Sequence, residues 1–387
     1  MQIICLQENL KQALNITERI IGKNLTLPIL NNLLLATENN RLRISSTNLE
    51  IGINCWVPGK IEKDGSITVP AKLLSGFIGN LPNKKIELKT KDSQLYLGCE
   101  NFKAVLRGID AKDFPIIPKI KNSPLIKIKS EVLKTALAQV AEMAAISEVR
   151  PEISGVFVKI EKDLIKFAAT DSFRLAEKII YQNKLVSARA GLVSAKDGLE
   201  SLNHSLIIPQ RTILELVRIL GEKDLLGAKE DQEVEVILGG NQILFDLGYS
   251  QVVSRLIEGQ YPDYQQIIPK NLEIQATLNR NELINGIKIA SLFSGKVNNI
   301  KLSIQPKKSL IEISAKDTDI GENKSQLNAK IEGKEVEITF NYRYLLDGLN
   351  NIFSDKVILG LNSASNPVVI KPVGDTSYTY LVMPIKA

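Results

Sequence analysis

Phe167-Ala168-Ala169-Thr170-Asp171-Ser172-Phe173-Arg174 decides the fold, because its pattern occurs three times in the chain. The other two copies are Ile44-Ser45-Ser46-Thr47-Asn48-Leu49-Glu50 and Ile313-Ser314-Ala315-Lys316-Asp317-Thr318-Asp319. Each is an alternating apolar run that ends in small polar residues, the signature of a strand running into a turn. A helix is predicted before each copy, over Asn9–Ile21, Glu131–Ile146 and Asn281–Phe293. In the first, Leu10, Ala13, Leu14, Ile20 and Ile21 recur at helical spacing. A second helix is predicted after each copy: from Val69-Pro70 to Asn80, from Ile208-Pro209 to Gly221, and from Phe340-Asn341 to Asn351. Alternating runs such as Lys85–Leu97, Glu233–Leu247 and Lys334–Phe340 read as strands. A closing motif, Arg107–Pro118 or Arg255–Pro269, follows the first two units, and Tyr380-Leu381-Val382-Met383-Pro384-Ile385 ends the third. The expectation is an α+β chain of three similar domains, residues 1–123, 124–271 and 272–387. Each carries two helices packed on antiparallel sheets, since apolar helix stripes need a sheet face to cover.

Composition narrows the function classes. With 44% hydrophobic and 24% charged residues the chain reads as globular. No apolar run is long enough to span a bilayer, and Met1–Leu10 lacks a basic segment leading into an apolar core, so a cytoplasmic protein without membrane contact is expected. Cys5, Cys55 and Cys99 are far apart and form no zinc spacing, which predicts buried free thiols. The single histidine, His204, lies in a polar stretch and reads as a solvated loop residue. No phosphate-cradling glycine motif is present. A net charge of +6 permits an anionic partner without requiring one.

Several segments resemble one family closely. They are Thr26-Leu27-Pro28-Ile29-Leu30-Asn31-Asn32-Leu33-Leu34-Leu35, Thr170–Leu175, Tyr261-Pro262-Asp263-Tyr264 with Ile268-Pro269-Lys270, and Val382-Met383-Pro384. Together they are similar to the beta subunit of bacterial DNA polymerase III, the sliding-clamp family, over essentially the whole chain. The resemblance implies a head-to-tail homodimer of six domains that closes a ring around duplex DNA. It implies a processivity factor that tethers replicative and repair polymerases, with no catalysis and no cofactor or metal. Implied partners are the polymerase III catalytic subunit, the clamp loader and other proteins carrying a clamp-binding motif. Three departures stand out. Gln182–Ser205 is longer than the usual connection, Pro151-Glu152 replaces an aromatic pair in a DNA-contacting loop, and Phe173 stands where the family has a histidine.

By resemblance, the partner-peptide pocket comprises Ile153, Thr170, Ser172, Phe173, Arg174, Leu175, Pro262, Ile267, Asn341, Tyr344, Leu381 and Met383. Mostly apolar walls with few polar anchors suit a peptide groove, and the same residues would equally suit a core. The subunit contact is implied to use Phe102 against Leu292 and Val297. DNA-facing candidates are Lys11, Arg19, Lys23, Lys72, Lys134, Arg211, Arg218, Arg280, Lys288 and Arg343. Lys11, Asn15 and Arg19 share a helix face. The same helices also carry Glu8, Glu18, Glu131, Glu142, Glu215, Glu282 and Asp347, so charge alone does not separate a DNA surface from a solvated one. Two other readings stay open on the residues alone: a monomeric nucleic-acid-binding scaffold, and a three-domain enzyme that uses converging carboxylates.

Overall fold

The three signature segments end in one kind of turn. Thr170 Oγ1 accepts from Ser172 N at 3.1 Å and donates to Arg174 O at 2.7 Å, while Asp171 Oδ1 accepts from Phe173 N and Arg174 N at 2.9 and 3.0 Å. Thr47 and Asn48 repeat this arrangement: Thr47 Oγ1 takes Leu49 N at 3.0 Å, and Asn48 Oδ1 takes Glu50 N and Ile51 N at 3.0 and 2.8 Å. Ser172 and Leu49 sit at φ 77° and 76°. In the third copy Asp317 Oδ1 accepts from Asp319 N and Ile320 N at 2.9 and 3.2 Å. Short polar side chains satisfy the amides that a tight turn leaves unpaired. What repeats in the sequence is therefore a turn that closes one strand pair.

The computed structural model describes residues 1–22, 26–181, 203–222 and 232–385. It contains α1 (Gln7–Glu18), α2 (Ala71–Gly79), α3 (Ser130–Ala141), α4 (Gln210–Gly221), α5 (Arg280–Ser291) and α6 (Tyr342–Asn350). Each lies within a few residues of its predicted span. Asn341 begins α6 by accepting from Arg343 N at 3.0 Å, and Asn279 begins α5 by accepting from Glu282 N at 3.1 Å.

The chain divides into two compact units. The first holds residues 1–134 and 211–256 and one antiparallel sheet of twelve strands among the described residues. Its hub is the thirteen-residue strand Ile51–Lys63. The first half of that strand pairs with Arg41–Thr47 and with Ser250–Arg255, and its second half pairs with Gln2–Leu6. Helix α1 packs on α2 and on this strand, burying Leu10, Ala13, Leu14 and Ile16. Each such leucine or isoleucine contributes about 1.5–3 kcal/mol on burial.

The second unit includes residues 135–181, 203–210 and 257–385. A nine-stranded sheet runs from His204–Pro209 through Gly155–Ile160, Leu164–Thr170 and Arg174–Tyr181 to Tyr378–Val382, and onward to Lys330–Glu332. A four-stranded sheet, in the order Gly321–Asn328, Leu310–Asp317, Asn299–Gln305, Val336–Asn341, lies beneath α5.

Three expectations are refined. Lys85–Leu97 is not one strand: Lys85–Lys91 and Gln94–Cys99 form a hairpin, with Asp92 and Ser93 in the left-handed region at its tip, and Glu233–Leu247 likewise divides into the paired strands Glu233–Gly239 and Gln242–Asp246. His204 opens a strand opposite Ile160 and is half-buried, because the polar residues before it do not prevent the apolar Leu206–Ile208 run from pairing. All three cysteines are buried free thiols, and burial pushes Cys5 up to about 12. The long connection that begins at Gln182 lies, through residue 202, outside the described residues.

Helix α6 makes a close approach that can be tested. A Cβ at Gly348 would collide with the ring of Tyr380, which is fully buried and donates its hydroxyl to Tyr344 O at 2.6 Å. Gly348→Ala should therefore cost about 1–3 kcal/mol through overpacking. Gly76→Ala in α2, where nothing lies within 4 Å of the new methyl, should gain about 0.5–1 kcal/mol. Chemical denaturation of both variants reads the contrast, and shifts of the same sign would show that the α6 contact does not constrain the fold.

Candidate partner groove, nucleic-acid face and strand edges

In the second unit, the seam between strands Arg174–Tyr181 and Tyr378–Val382 gathers most of the predicted groove. Arg174 pairs with Val382 and Leu175 with Leu381, and Met383 N donates to Phe173 O at 2.8 Å. Ile153, Leu175 and Leu381 join Ala168, Ile207, Tyr261, Tyr264 and Val369 in one buried cluster, with Met383 packed against it. Exposure is graded across the seam. Leu175 and Leu381 are 1% exposed, Met383 is half-buried, and Phe173 is 58% exposed. The turn Tyr264–Ile267 leaves Ile267 exposed, while Pro262 is half-buried. Of the polar residues, Thr170 is buried in its turn and Ser172 is exposed, with its hydroxyl accepting from Arg150 at 3.3 Å. Asn341 is committed to capping α6.

Arg174 is the electrostatic centre of this region. Nε donates to Asp171 Oδ2 at 2.9 Å, Nη1 to the Asp347 carboxylate, and Nη2 to Glu142 O at 3.2 Å. The guanidinium also lies 4.9 Å from the centroid of Tyr344, on which Phe173 stacks at 6.2 Å. Burial opposes the charge, and the nearby Tyr380, Asp171 and Asp347 more than offset it, so the Arg174 pKa rises. Sequence reading missed Asp347 as its partner, because 173 residues separate the two. Asp171 carried a signal in its place in the repeated turn. Tyr261 and Tyr264, quoted in the sequence motif but not among the pocket residues, meet edge to face at 6.3 Å within the apolar cluster.

The basic candidates divide by what they touch. Lys11, Arg19, Lys72, Lys288 and Arg343 are exposed, and Lys11, Asn15 and Arg19 do share the outer face of α1. Lys134 is half-buried and pairs with Glu131 at 3.5 Å. Two arginines of α4 are aimed at the end of α1: Arg211 Nη2 donates to Ile20 O at 3.2 Å, and Arg218 Nη2 to Ile16 O at 3.0 Å. Arg218 is further neutralised by Glu215 and Glu222. Arg280 serves α6 in the same way, reaching Leu349 O and Ile352 O at 3.2 and 2.7 Å. A cation at a helix C-terminus meets unpaired carbonyls and the negative end of the dipole. Arg218 and Arg280 are thus placed to hold helix ends, and Lys23 lies outside the described residues.

Two of the sheet-end strands carry or adjoin exposed apolar side chains. Phe102–Arg107 ends the twelve-stranded sheet, with Phe102 and Val105 about half exposed, and Gly321–Asn328 ends the four-stranded one. Leu292, Val297 and Ile320 are well exposed. No cluster of three or more metal-ligating side chains occurs among the described residues, and no helix there is long and apolar enough to cross a membrane.

Known proteins match this architecture along its whole length. The N-terminal, central and C-terminal domain models of the DNA polymerase III beta subunit match residues 1–118, 127–263 and 265–386 in succession. The beta sliding clamp of Synechocystis sp. is 30% identical, over 100% of this chain and 99% of that relative. The beta sliding clamp of Staphylococcus epidermidis is 29% identical over 96% of each chain. Among solved structures, the DNA polymerase sliding clamp from Bacillus subtilis superposes with a TM-score of 0.90 at 26% identity, over 100% of this chain and 99% of that one. The DNA polymerase III subunit beta from Pseudomonas aeruginosa bound to griselimycin gives 0.89 at 25% identity, with 100% of both chains covered. The chain belongs to the DNA polymerase III beta subunit family, the beta sliding clamps.

Proposed function

We propose that this chain is a DNA sliding clamp of replication, a non-catalytic homodimeric ring with domains over 1–123, 124–271 and 272–387. The observation that carries the reading is the full-length match to three beta-subunit domains in order. Ring closure is supported by the sheet-end strands Phe102–Arg107 and Gly321–Asn328, which belong to different units: a head-to-tail contact between unlike edges closes a ring when its rotation permits. On this reading Phe102 and Val105 of one subunit meet Leu292 and Val297 of the other. A clamp must slide, so its contact with duplex DNA is made through phosphates, without base readout. Lys11, Arg19, Lys72, Lys288 and Arg343, exposed on or at the ends of their helices, supply that contact. Lys134 and Arg211 share their charge with other partners. Partner peptides from the polymerase III catalytic subunit, the clamp loader and other clamp-binding proteins enter the groove beside the Leu175–Leu381 seam. There the partly covered Met383, Phe173, Ile267 and Tyr344 offer apolar contacts, and the Arg174 network fixes the groove's polar side.

The decisive experiment is retention on nicked circular DNA after loading. The ring should remain bound at raised salt and leave when the circle is linearised; binding that is insensitive to linearisation would reject encirclement. Lys11→Ala, Lys72→Ala and Lys288→Ala combined should weaken loading with an unchanged melting curve. Arg218→Ala should instead lower stability, because it uncaps α1.

The groove and the edge contact have separate readouts. By fluorescence anisotropy with a clamp-binding peptide, Phe173→Ala and Met383→Ala should each lose about 1 kcal/mol or more of binding in a folded protein. Leu175→Ala should cost about 2–5 kcal/mol of stability as well. Unchanged affinity in the first two would remove the groove from the account. In sedimentation, Val105→Glu should yield monomers with full peptide affinity, whereas a wild-type chain that sediments as a monomer would favour a simple scaffold.

A further inference from the structure

A cavity of about 950 Å³ lies beside the closing motif of the first unit. It coincides with a difference in side chains between the repeats. Cross-strand register places Leu34 opposite Ser45 and Ser45 opposite Asn54, as Phe157 lies opposite Ala168 and Ala168 opposite Glu177. In the second unit that space is filled: Tyr261 stacks on Phe157 at 5.0 Å, and the Tyr264 hydroxyl donates to Glu177 at 2.7 Å. In the first unit Phe114 and Ile117 take the places of the two tyrosines. Ile117 drops onto Gly52, where a Cβ would meet it at 2.8 Å. The smaller side chains leave the neighbouring space open.

The walls are chemically uneven. Leu34, Phe114 and Leu244 provide apolar surface. Asn54, only 9% exposed, accepts from Ser45 Oγ at 2.7 Å, and its Nδ2 has no partner among the described residues. Five basic side chains line the cavity against two carboxylates, Glu38 and Asp246. Both carboxylates are occupied. Glu38 takes Arg43 at 3.2 Å, Lys119 at 2.9 Å and the Trp56 indole N–H at 3.3 Å. Asp246 takes Gly248 N at 2.7 Å and Gln251 at 2.8 Å. Arg43 Nε is buried without a partner, and Arg41, Lys112 and Lys121 make no ion pair among the described residues. The cavity therefore presents unsatisfied donors and positive charge over an apolar floor.

We infer that this cavity binds a short, extended acidic peptide of a partner protein. An apolar side chain enters between Leu34, Phe114 and Leu244. The peptide backbone meets the carboxamide of Asn54, which can serve both a carbonyl and an amide. Flanking carboxylates reach Arg41, Arg43 and Lys121, guanidinium being the group best matched to carboxylate geometry. Stacked bases fit less well, since the Trp56 indole is tied to Glu38. The inference stands apart from the groove of the second unit and from DNA encirclement.

Trp56 is the single tryptophan of the chain and lines the cavity, so its fluorescence reports occupancy locally. The probe is a capped peptide of alternating glutamate and leucine, titrated into the full-length protein. A saturable change that weakens with salt is expected. It should persist in Phe173→Ala and lose about tenfold or more in affinity in the double variant R41E/K121E, whose substituted side chains are exposed. Circular dichroism checks that this variant is folded, and its retention on nicked circular DNA should be unchanged. The inference is overturned by any of four results: no saturable change, an equal response to a lysine–leucine peptide, unchanged affinity in R41E/K121E, or tighter competition by a short oligodeoxynucleotide. Loss of DNA retention in the double variant would assign these cations to DNA and overturn it as well.

Discussion

A strand edge presents a row of unpaired N–H and C=O groups, and a chain of repeated sheets creates such an edge at every repeat. In this protein the edge of one repeat is paired by a strand of another. Ile51–Cys55 pairs with Ser250–Ser254 in the first unit, and Arg174–Lys178 with Tyr378–Val382 in the second. These two seams turn separate small sheets into continuous ones and divide the chain into compact units that follow the sheets. Register is strict at each seam, because a slip of one residue would turn the buried Ile53 and Cys55, or Leu175 and Leu381, away from the core. The closing motifs then cover the seams, with Phe114 buried over one and Tyr261 and Tyr264 over the other.

How much of this was legible in the sequence depended on whether the signal was local. The repeated turns were visible because their chemistry lies within four residues: a Thr, Asn or Asp side chain satisfies amides two and three positions on. The six helices were visible because their apolar stripes follow a 3.6-residue period. The hairpins at Asp92-Ser93 and Gly240-Asn241 were both read inside single alternating runs, although Asp92, Ser93 and Gly240 adopt positive φ. The seams themselves were not legible. Nothing near Arg174 points to Val382, and nothing near Ile51 points to Ser254. Such pairings are set by complementary edges brought together only in the folded chain. The groove residues came from family resemblance, and their physical rationale appears only once the seam is known.

Charge was the least legible property. The arginines of α4 and α5 read as a possible anion-binding face, yet Arg211, Arg218 and Arg280 reach the last carbonyls of neighbouring helices within their own units. Helix α1 has no basic residue in its last turn, so the cation its dipole favours is supplied by α4 instead. Sequence distance hides such service: Arg218 and Ile16 are 202 residues apart. Subtracting these arginines leaves a modest set of exposed cations. A weak positive face holds phosphates without trapping them, which suits movement along DNA better than a strong one.

The ends of the two seams differ in the surface they expose. The last cross-strand pair is Arg174 with Val382 in the second unit and Ile51 with Ser254 in the first. The residues immediately beyond have no further strand to cover them, so geometry leaves them partly open. In both seams one backbone hydrogen bond joins them: Met383 N to Phe173 O at 2.8 Å, and Arg255 N to Glu50 O at 3.0 Å. The backbone is the same, and the side chains differ. Phe173 and Met383 place an aromatic ring and a pliable thioether at the end of one seam, where uncovered apolar surface favours a partner's apolar side chain. Glu50 and Arg255 place exposed charges of opposite sign at the end of the other, where water serves them well. A repeated backbone thus supplies equivalent openings, and the residue just past the last paired strand decides whether the opening presents apolar or charged surface.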